Sequence, residues 1–544
     1  MAGPAFTRSG RKPPNQATLA LLAALLCAPG AHAQAPIQVQ EQSLAAPDLF
    51  SVGAATSDLP PDVWKGSSAA LARLVLPEIA DKPLTPAAMA LARHVLSAPA
   101  RAPDGAGDDA DLAGLRAQAL LALGQLEVVS TITDRTPVLP QKPALSQAAA
   151  QAALIRGQED QACAIGDALG EGRDRAFWLR LRAYCQVRAG QTAAAQLTFE
   201  LASQQSHSPD YERLMSALLA GKDAGAPALD SGLDLAISRR ASAAWSQGLT
   251  HAAAPIAITL ARDASAPPDA RLEAAARAAR LGVDIPDAYA ALQPLPVDVA
   301  AADQPGAAGE AALVALASAT TDYSLKEAAV IALLKRAKDG PEFQALARLS
   351  EFQIAQILSA GPVLREPALF AMAAAAAGDR ASAKRARAQA GVKGAPLPLS
   401  LDLALLDALI AAASDQDQGA AIEALDAQLG ASDAAGRTRA AAAMALLGAL
   451  GAPAGPQARL DIAGSEIGPD LVPPGRLQAL QLAASQRRVG DVALYVLQTC
   501  ADAGAAGPSA ATRASLVRAL NDAGLKADAQ AFAIEGLLPL QARP

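Results

Sequence analysis

Residues Ala176 to Ala202 read AFWLRLRAYCQVRAGQTAAAQLTFELA. Two stretches of good helix formers, both free of Pro, flank Gly190. Gly190 stands where the first helix must end, because Gly takes the left-handed conformation that closes a helix without steric cost. Gln191 and a second amphipathic helix follow. Ala183 lies seven residues before the Gly and Ala195 five after it. Such small side chains let two antiparallel helices approach closely. Phe199 and Ala202 continue the buried face of the second helix at helical spacing. The stretch reads as a helical hairpin.

The Gly-Gln step recurs. Gly124-Gln125, Gly157-Gln158 and Gly190-Gln191 are each 33 residues apart, and Gly221-Lys222 follows 31 later. Gly490-Asp491 and Gly524-Leu525 are 34 apart, and Gly378-Asp379 carries the local pattern alone. A fixed period in this range marks an array of repeated helical units. Here the chain resembles the tetratricopeptide repeat, a family of helix–turn–helix units. Ala183, Gly190, Ala195, Phe199 and Ala202 match five of its features, and Pro209 matches its closing Pro, slightly late. Ala150, Gly157 and Ala162 also fit. Ala371, Gly378, Ala383 and Ala390 match, with Arg387 standing where the family has a large apolar residue. Val517, Gly524 and Ala529 match more loosely. Around Gly124 and Gly490 only the turn and the preceding Ala117 and Ala483 fit. The resemblance is best over residues 110–222 and weaker over 360–395 and 478–537.

That resemblance implies an all-α fold, an α-α superhelix of stacked helical hairpins. Gly124, Gly157, Gly190, Gly378, Gly490 and Gly524 would occupy the turns. Such solenoids offer a concave surface to peptides or protein partners. In this scheme Cys163 falls early in the second helix of one unit, and Cys185 late in the first helix of the next. Stacking brings these helices together. A Cys163–Cys185 disulfide stapling neighbouring repeats and a pair of buried thiols both fit the sequence.

Composition sets the outer bounds. Of 544 residues, 52% are hydrophobic, 18% charged and only 3% aromatic, so the apolar share is mostly Ala and Leu. That is too apolar for a disordered chain and too poor in strand formers for a large all-β fold. Four Cys exclude a disulfide scaffold. At the start, Arg8, Arg11 and Lys12 precede an apolar run from Ala17 to Leu26, and Ala31-His32-Ala33 fits a cleavage site. Residues 1–33 therefore read as a secretory signal peptide, and the run is too short to span a bilayer. Cys27 follows Leu25 and Leu26, which is poor context for lipidation. The expectation is a periplasmic protein with no transmembrane segment after cleavage. Cleavage removes three of the 46 basic residues and no acidic one, which moves the formal charge from −7 to −10. An acidic chain without a basic stripe excludes nucleic acid as a partner.

Breaks in composition divide the remainder. Residues 34–62 read as an extended lead-in, 63–222 as N-terminal helical repeats, 223–400 as central degenerate repeats and 401–544 as C-terminal repeats. The stretch APDGAGDDAD from Ala102 to Asp111 reads as a solvated loop in preference to a Ca²⁺ site, since its ligand spacing matches no EF-hand. His94, His207 and His251 are far from one another, and no nucleophile elbow, zinc helix or phosphate loop appears. No catalytic residue, metal or cofactor is expected. Arg271, Glu273 and Arg277 read as solvated helix faces, and Trp64, Trp178 and Trp245 as packing anchors. Tyr184, Arg188, Tyr211 and Arg213 sit in the best repeats, as core or solvent-facing residues before a concave face.

These observations lead to an exported, non-catalytic scaffold or adaptor that binds protein partners in a bacterial envelope assembly, whether secretion, appendage or cell-wall machinery. The alternative is a peptidoglycan-directed enzyme or glycan-binding protein on a helical scaffold. Murein transglycosylases carry Ala-rich superhelices, but end in a lysozyme-like domain with an aromatic cleft. The last 65 residues here hold one Tyr, one Phe and no Trp.

Overall fold

The computed structural model describes residues 48–106, 109–241, 248–283, 299–390, 400–414, 416–465 and 472–541. Residues 1–33, expected from the sequence to be a signal peptide, the first part of the lead-in and Trp245 lie outside the described residues. Among the described residues there are 26 α-helices and no strand. None of these helices is long and apolar enough to cross a membrane.

The turns show why the Gly-Gln step recurs. Gly124, Gly157, Gly190, Gly378 and Gly524 all have φ between 72° and 93°. At each, the following residue's N–H reaches back to a carbonyl five residues earlier: Gln158 to Ala153 at 2.8 Å, Gln191 to Gln186 at 2.9 Å, Asp379 to Ala374 at 2.9 Å. This is the two-bond closure that satisfies the last carbonyls of a helix. Gly490 departs from the pattern. It is the second residue of helix Val489–Ala503, and the turn before it is made by Arg487, at φ 52°. Arg488 N–H closes that turn on Ala483 O at 3.0 Å. What requires glycine at 490 is a close approach: a Cβ there would lie 2.4 Å from Ser67 Oγ and 2.6 Å from Trp64 Cε3.

Consecutive helices pack in pairs. Examples are Ala176–Arg188 with Thr192–Gln205, Ala254–Arg262 with Pro268–Arg280, Pro367–Ala377 with Arg380–Gln389, and Ala510–Asp522 with Lys526–Leu537. In the first pair Ala183, Ala195 and Ala202 are fully buried, and the Phe199 ring lies 5.8 Å from that of Tyr211 on the next helix. In the third pair Arg387 forks onto Asp407 of helix Leu401–Ala412, at 2.7 and 2.8 Å. A half-exposed ion pair thus occupies the place of an apolar contact.

Two hydrophobic cores result. The larger runs from Phe50 to Leu538 and is built mainly from Ala, Leu and Val. The smaller spans Ala150 to Ala241 and contains Trp178, Tyr184 and Tyr211, with Phe177 and Phe199 at its margin. Helix Pro143–Ile155 belongs to both. Its Leu145, Ala148, Ala152 and Ile155 face the large core, while Ala150, Ala153 and Leu154 face the small one. Residues 159–241 therefore form an arm, rooted on the larger body by Leu229 and Leu235, which belong to the large core.

The body closes on itself. Helices Ala69–Asp81 and Pro86–Ser97 pack against Val489–Ala503, and Pro86–Ser97 also packs against Lys526–Leu537. Gly490 N–H donates to Val63 O at 3.0 Å, and Ser68 N–H to Asp491 at 3.3 Å. Lys82 pairs with Asp502 at 2.9 Å. The deepest contact is Glu535. One carboxylate oxygen meets Arg513 at 2.6 Å, both side chains being buried, and the other accepts from Ala87 N–H at 2.8 Å. A carboxylate from the chain's last hairpin thus caps a helix N-terminus near its start, where Pro86 offers no N–H and the helix dipole favours negative charge.

The described part of the lead-in is anchored too. Residues 48–62 form no helix, yet Arg116, fully buried, gathers their backbone. Its guanidinium donates to the carbonyls of Leu49, Phe50, Val52, Leu96 and Ala98 at 2.9 to 3.2 Å. Its Cζ sits 5.0 Å from the Phe50 ring centre. Burial lowers its pKa to about 10, against the pull of Asp48, and it stays a cation.

Candidate functional site

Helix ends from both sides of the body meet around a cavity of about 870 Å³. That volume lies in the range of small-molecule sites. One wall is the bend between helices Ala69–Asp81 and Pro86–Ser97; others come from helices Ala110–Ala122, Pro143–Ile155, Ala254–Arg262 and Pro268–Arg280, and from the start of Gly340–Leu349. Close packing holds opposite walls together. Arg93 Nη2 donates to Gly282 O at 2.8 Å, and a Cβ on Gly282, whose φ is +65°, would lie 3.0 Å from Pro86 Cβ.

The wall is mixed. Leu84, Met89, Leu121, Ile155 and Ile256 supply apolar surface. Helix Pro268–Arg280 supplies Glu273, Arg277 and Arg280, three to four residues apart and so on one face. Arg280 is neutralised: it meets Glu310 at 2.8 Å and Glu342 at 3.1 Å. Glu342 is held in turn by the Lys338 N–H at 2.7 Å. Burial raises the pKa of Glu310, with Arg280 opposing.

Arg277 has no such partner. Its Nε donates to the Ala252 carbonyl at 3.1 Å, and no carboxylate among the described residues pairs with it. Burial lowers its pKa, and the like charge of Arg280 lowers it further. The expectation of solvated faces fails on this helix. Arg271 is buried, donating to Ala261 O at 3.4 Å, and Arg277 and Glu273 line the cavity. The sequence shows only charges at helical spacing; which face meets a neighbour is decided by helices far away in the chain.

In the arm, Cys163 and Cys185 are joined as a disulfide between helices Glu159–Ala168 and Ala176–Arg188, with Cα atoms 5.8 Å apart. Arg188 reinforces the seam, meeting Glu159 and Asp160 at 2.8 Å each. Tyr184 and Tyr211 are core residues, and burial raises both phenol pKa values. Arg213 binds the Ala226 carbonyl at 2.8 Å and Asp210 at 2.8 Å. Cys500 is a buried thiol in the body, its pKa pushed up to about 12 by burial.

The histidines stay apart. His94 lies between Asp58 and Asp528, 2.9 Å from each, and His207 meets Glu212 at 2.9 Å. Asp109 of the acidic loop caps helix Ala110–Ala122 and pairs with Arg73. Among the described residues no three His, Cys, Asp or Glu side chains converge as metal ligands would. Trp64 packs edge-on to Phe50 at 6.2 Å, and Trp178 edge-on to Phe177 at 4.9 Å. Comparisons with protein-family models, curated proteins and solved structures find no match for the chain.

Proposed function

We propose that this protein is an exported, non-catalytic scaffold that binds protein partners in a bacterial envelope assembly, and that its arm is a short run of tetratricopeptide-like hairpins. The leader pattern at residues 1–33 supports export to the periplasm. The observation that carries partner binding is the outer helix of the arm, Thr192–Gln205. Leu197 is 61% exposed and Leu201, one turn further, 48%. Only Ala195, Thr198 and Ala202 of that helix are buried. Two adjacent open leucines on a helix tied down by its neighbours make a small apolar patch ready for a partner.

The test is in-cell crosslinking and pull-down from the periplasmic fraction, read by mass spectrometry. A short stoichiometric set of envelope proteins, lost in the Leu197→Asp/Leu201→Asp variant, is the expected result. Recovery of the same set with that variant removes the arm from the account. Recovery of murein fragments with few proteins replaces the scaffold by a glycan-directed role.

A further inference from the structure

The exposed leucines of the arm's outer helix do not line the cavity of the body, where no carboxylate among the described residues pairs with Arg277. We infer that this cavity binds a small organic acid, with Arg277 holding its carboxylate and the walls around Leu84, Met89, Ile155 and Ile256 facing its apolar body.

Three observations carry this inference. First, the guanidinium spends one N–H on a backbone carbonyl, Ala252 O at 3.1 Å, and its two Nη groups have no partner among the described residues. An arginine fork left open beside a cavity matches a carboxylate in geometry and charge. Second, the lining already carries carboxylates, Asp230, Glu273 and Asp339 among them, beside its cations. Arg280 is taken by Glu310 and Glu342. A dianionic phosphate would meet more repulsion from these carboxylates than a monoanionic carboxylate would. Third, burial and Arg280 both press on the charged form of Arg277, so a bound anion would relieve that cost. Lys338, at the rim, is solvent-exposed. The volume, about 870 Å³, holds a fatty or aromatic acid or the last residues of a peptide. These two sources share one chemistry, a carboxylate on an apolar body.

The inference is independent of the partner-binding proposal and is tested separately on the purified full chain. Isothermal titration with octanoate is compared with octanol, which has the same body without the charge. A short Ala-Leu-Leu peptide with a free C-terminus is compared with its amide. At least one acid should bind about tenfold or more tightly than its neutral counterpart, as hydrogen bonds to a charged group imply. Preference for octanoate indicates a free acid, and preference for the peptide a chain end. Arg277→Gln should abolish the preference without lowering Tm, since it relieves repulsion with Arg280. Arg277→Lys, which keeps the charge, should retain part of it and serves if the Gln variant misfolds. Equal binding of acid and neutral probes, no binding of either acid, or an undiminished preference in folded Arg277→Gln overturns the inference.

Discussion

The arm and the body are built from the same helical pairs and held by different means. In the arm most helices touch their sequence neighbours, Gly232–Arg240 returns to pack on Pro143–Ile155, the core holds aromatic residues, and a disulfide links two consecutive helices. In the body the core is Ala and Leu, and contacts between residues more than 400 apart join its two ends. Thin Ala faces bring helices close but bury little area per residue. A body made of them gains from closure, which covers one face of its first and last hairpins. The arm has larger side chains, and its outer helix stays partly open.

The contrast predicts separable responses. Glu535→Ala should have the largest effect. It strands Arg513 in a buried position and uncaps Ala87, at a cost of about 3–5 kcal/mol. Chemical denaturation should show the body transition moving to lower denaturant. An unchanged midpoint means that the ends are not locked by this pair. Reducing the disulfide, or Cys163→Ser/Cys185→Ser, should cost about 3 kcal/mol, confined to the arm. Hydrogen exchange should quicken over 159–241 and leave the helices around Glu535 unaffected. Uniform quickening would show that arm and body unfold as one.

A smaller effect concerns His94. Its hydrogen bond to Asp528, with a further contribution from Asp58, raises its pKa from 6.5 to about 9. The folded state therefore binds the proton more tightly than the unfolded one. The stabilisation is full below pH 6.5 and is lost as pH rises through about 9. The Tm difference between the wild type and His94→Gln should be widest near pH 6 and shrink toward about pH 10. A constant difference would show that the bridge contributes nothing through its charge. The smallest expected change is a gain: Arg487→Gly should stabilise by about 1 kcal/mol, because a left-handed residue with a Cβ is replaced by one without. Thermal melts measure it, and a loss would mean that the Arg487 side chain makes a contact worth more than the strain.

Local features were legible in the sequence, and distant ones were not. Gly190 and Gln191 announce a turn because the same two residues supply its left-handed φ and its closing N–H. Gly490 carries the same letters for another reason, the approach of Trp64 from the far end of the chain. Closure leaves no periodic trace: Glu535, Ala87 and Arg513 look like ordinary helix residues until the hairpins meet. The cavity was hidden for a related cause. Arg277 and Arg280 share a helix face, and only Glu310 and Glu342, from later helices, make one of them neutral and leave the other open.

Zero-length carbodiimide crosslinking tests the closed body most directly. Lys82 Nζ and an Asp502 oxygen are 2.9 Å apart, at positions separated by 420 residues. Tryptic mapping of the monomer band should recover the Lys82–Asp502 peptide pair. Its absence from monomers, or its appearance only in crosslinked dimers, would contradict a chain whose first and last hairpins pack on each other.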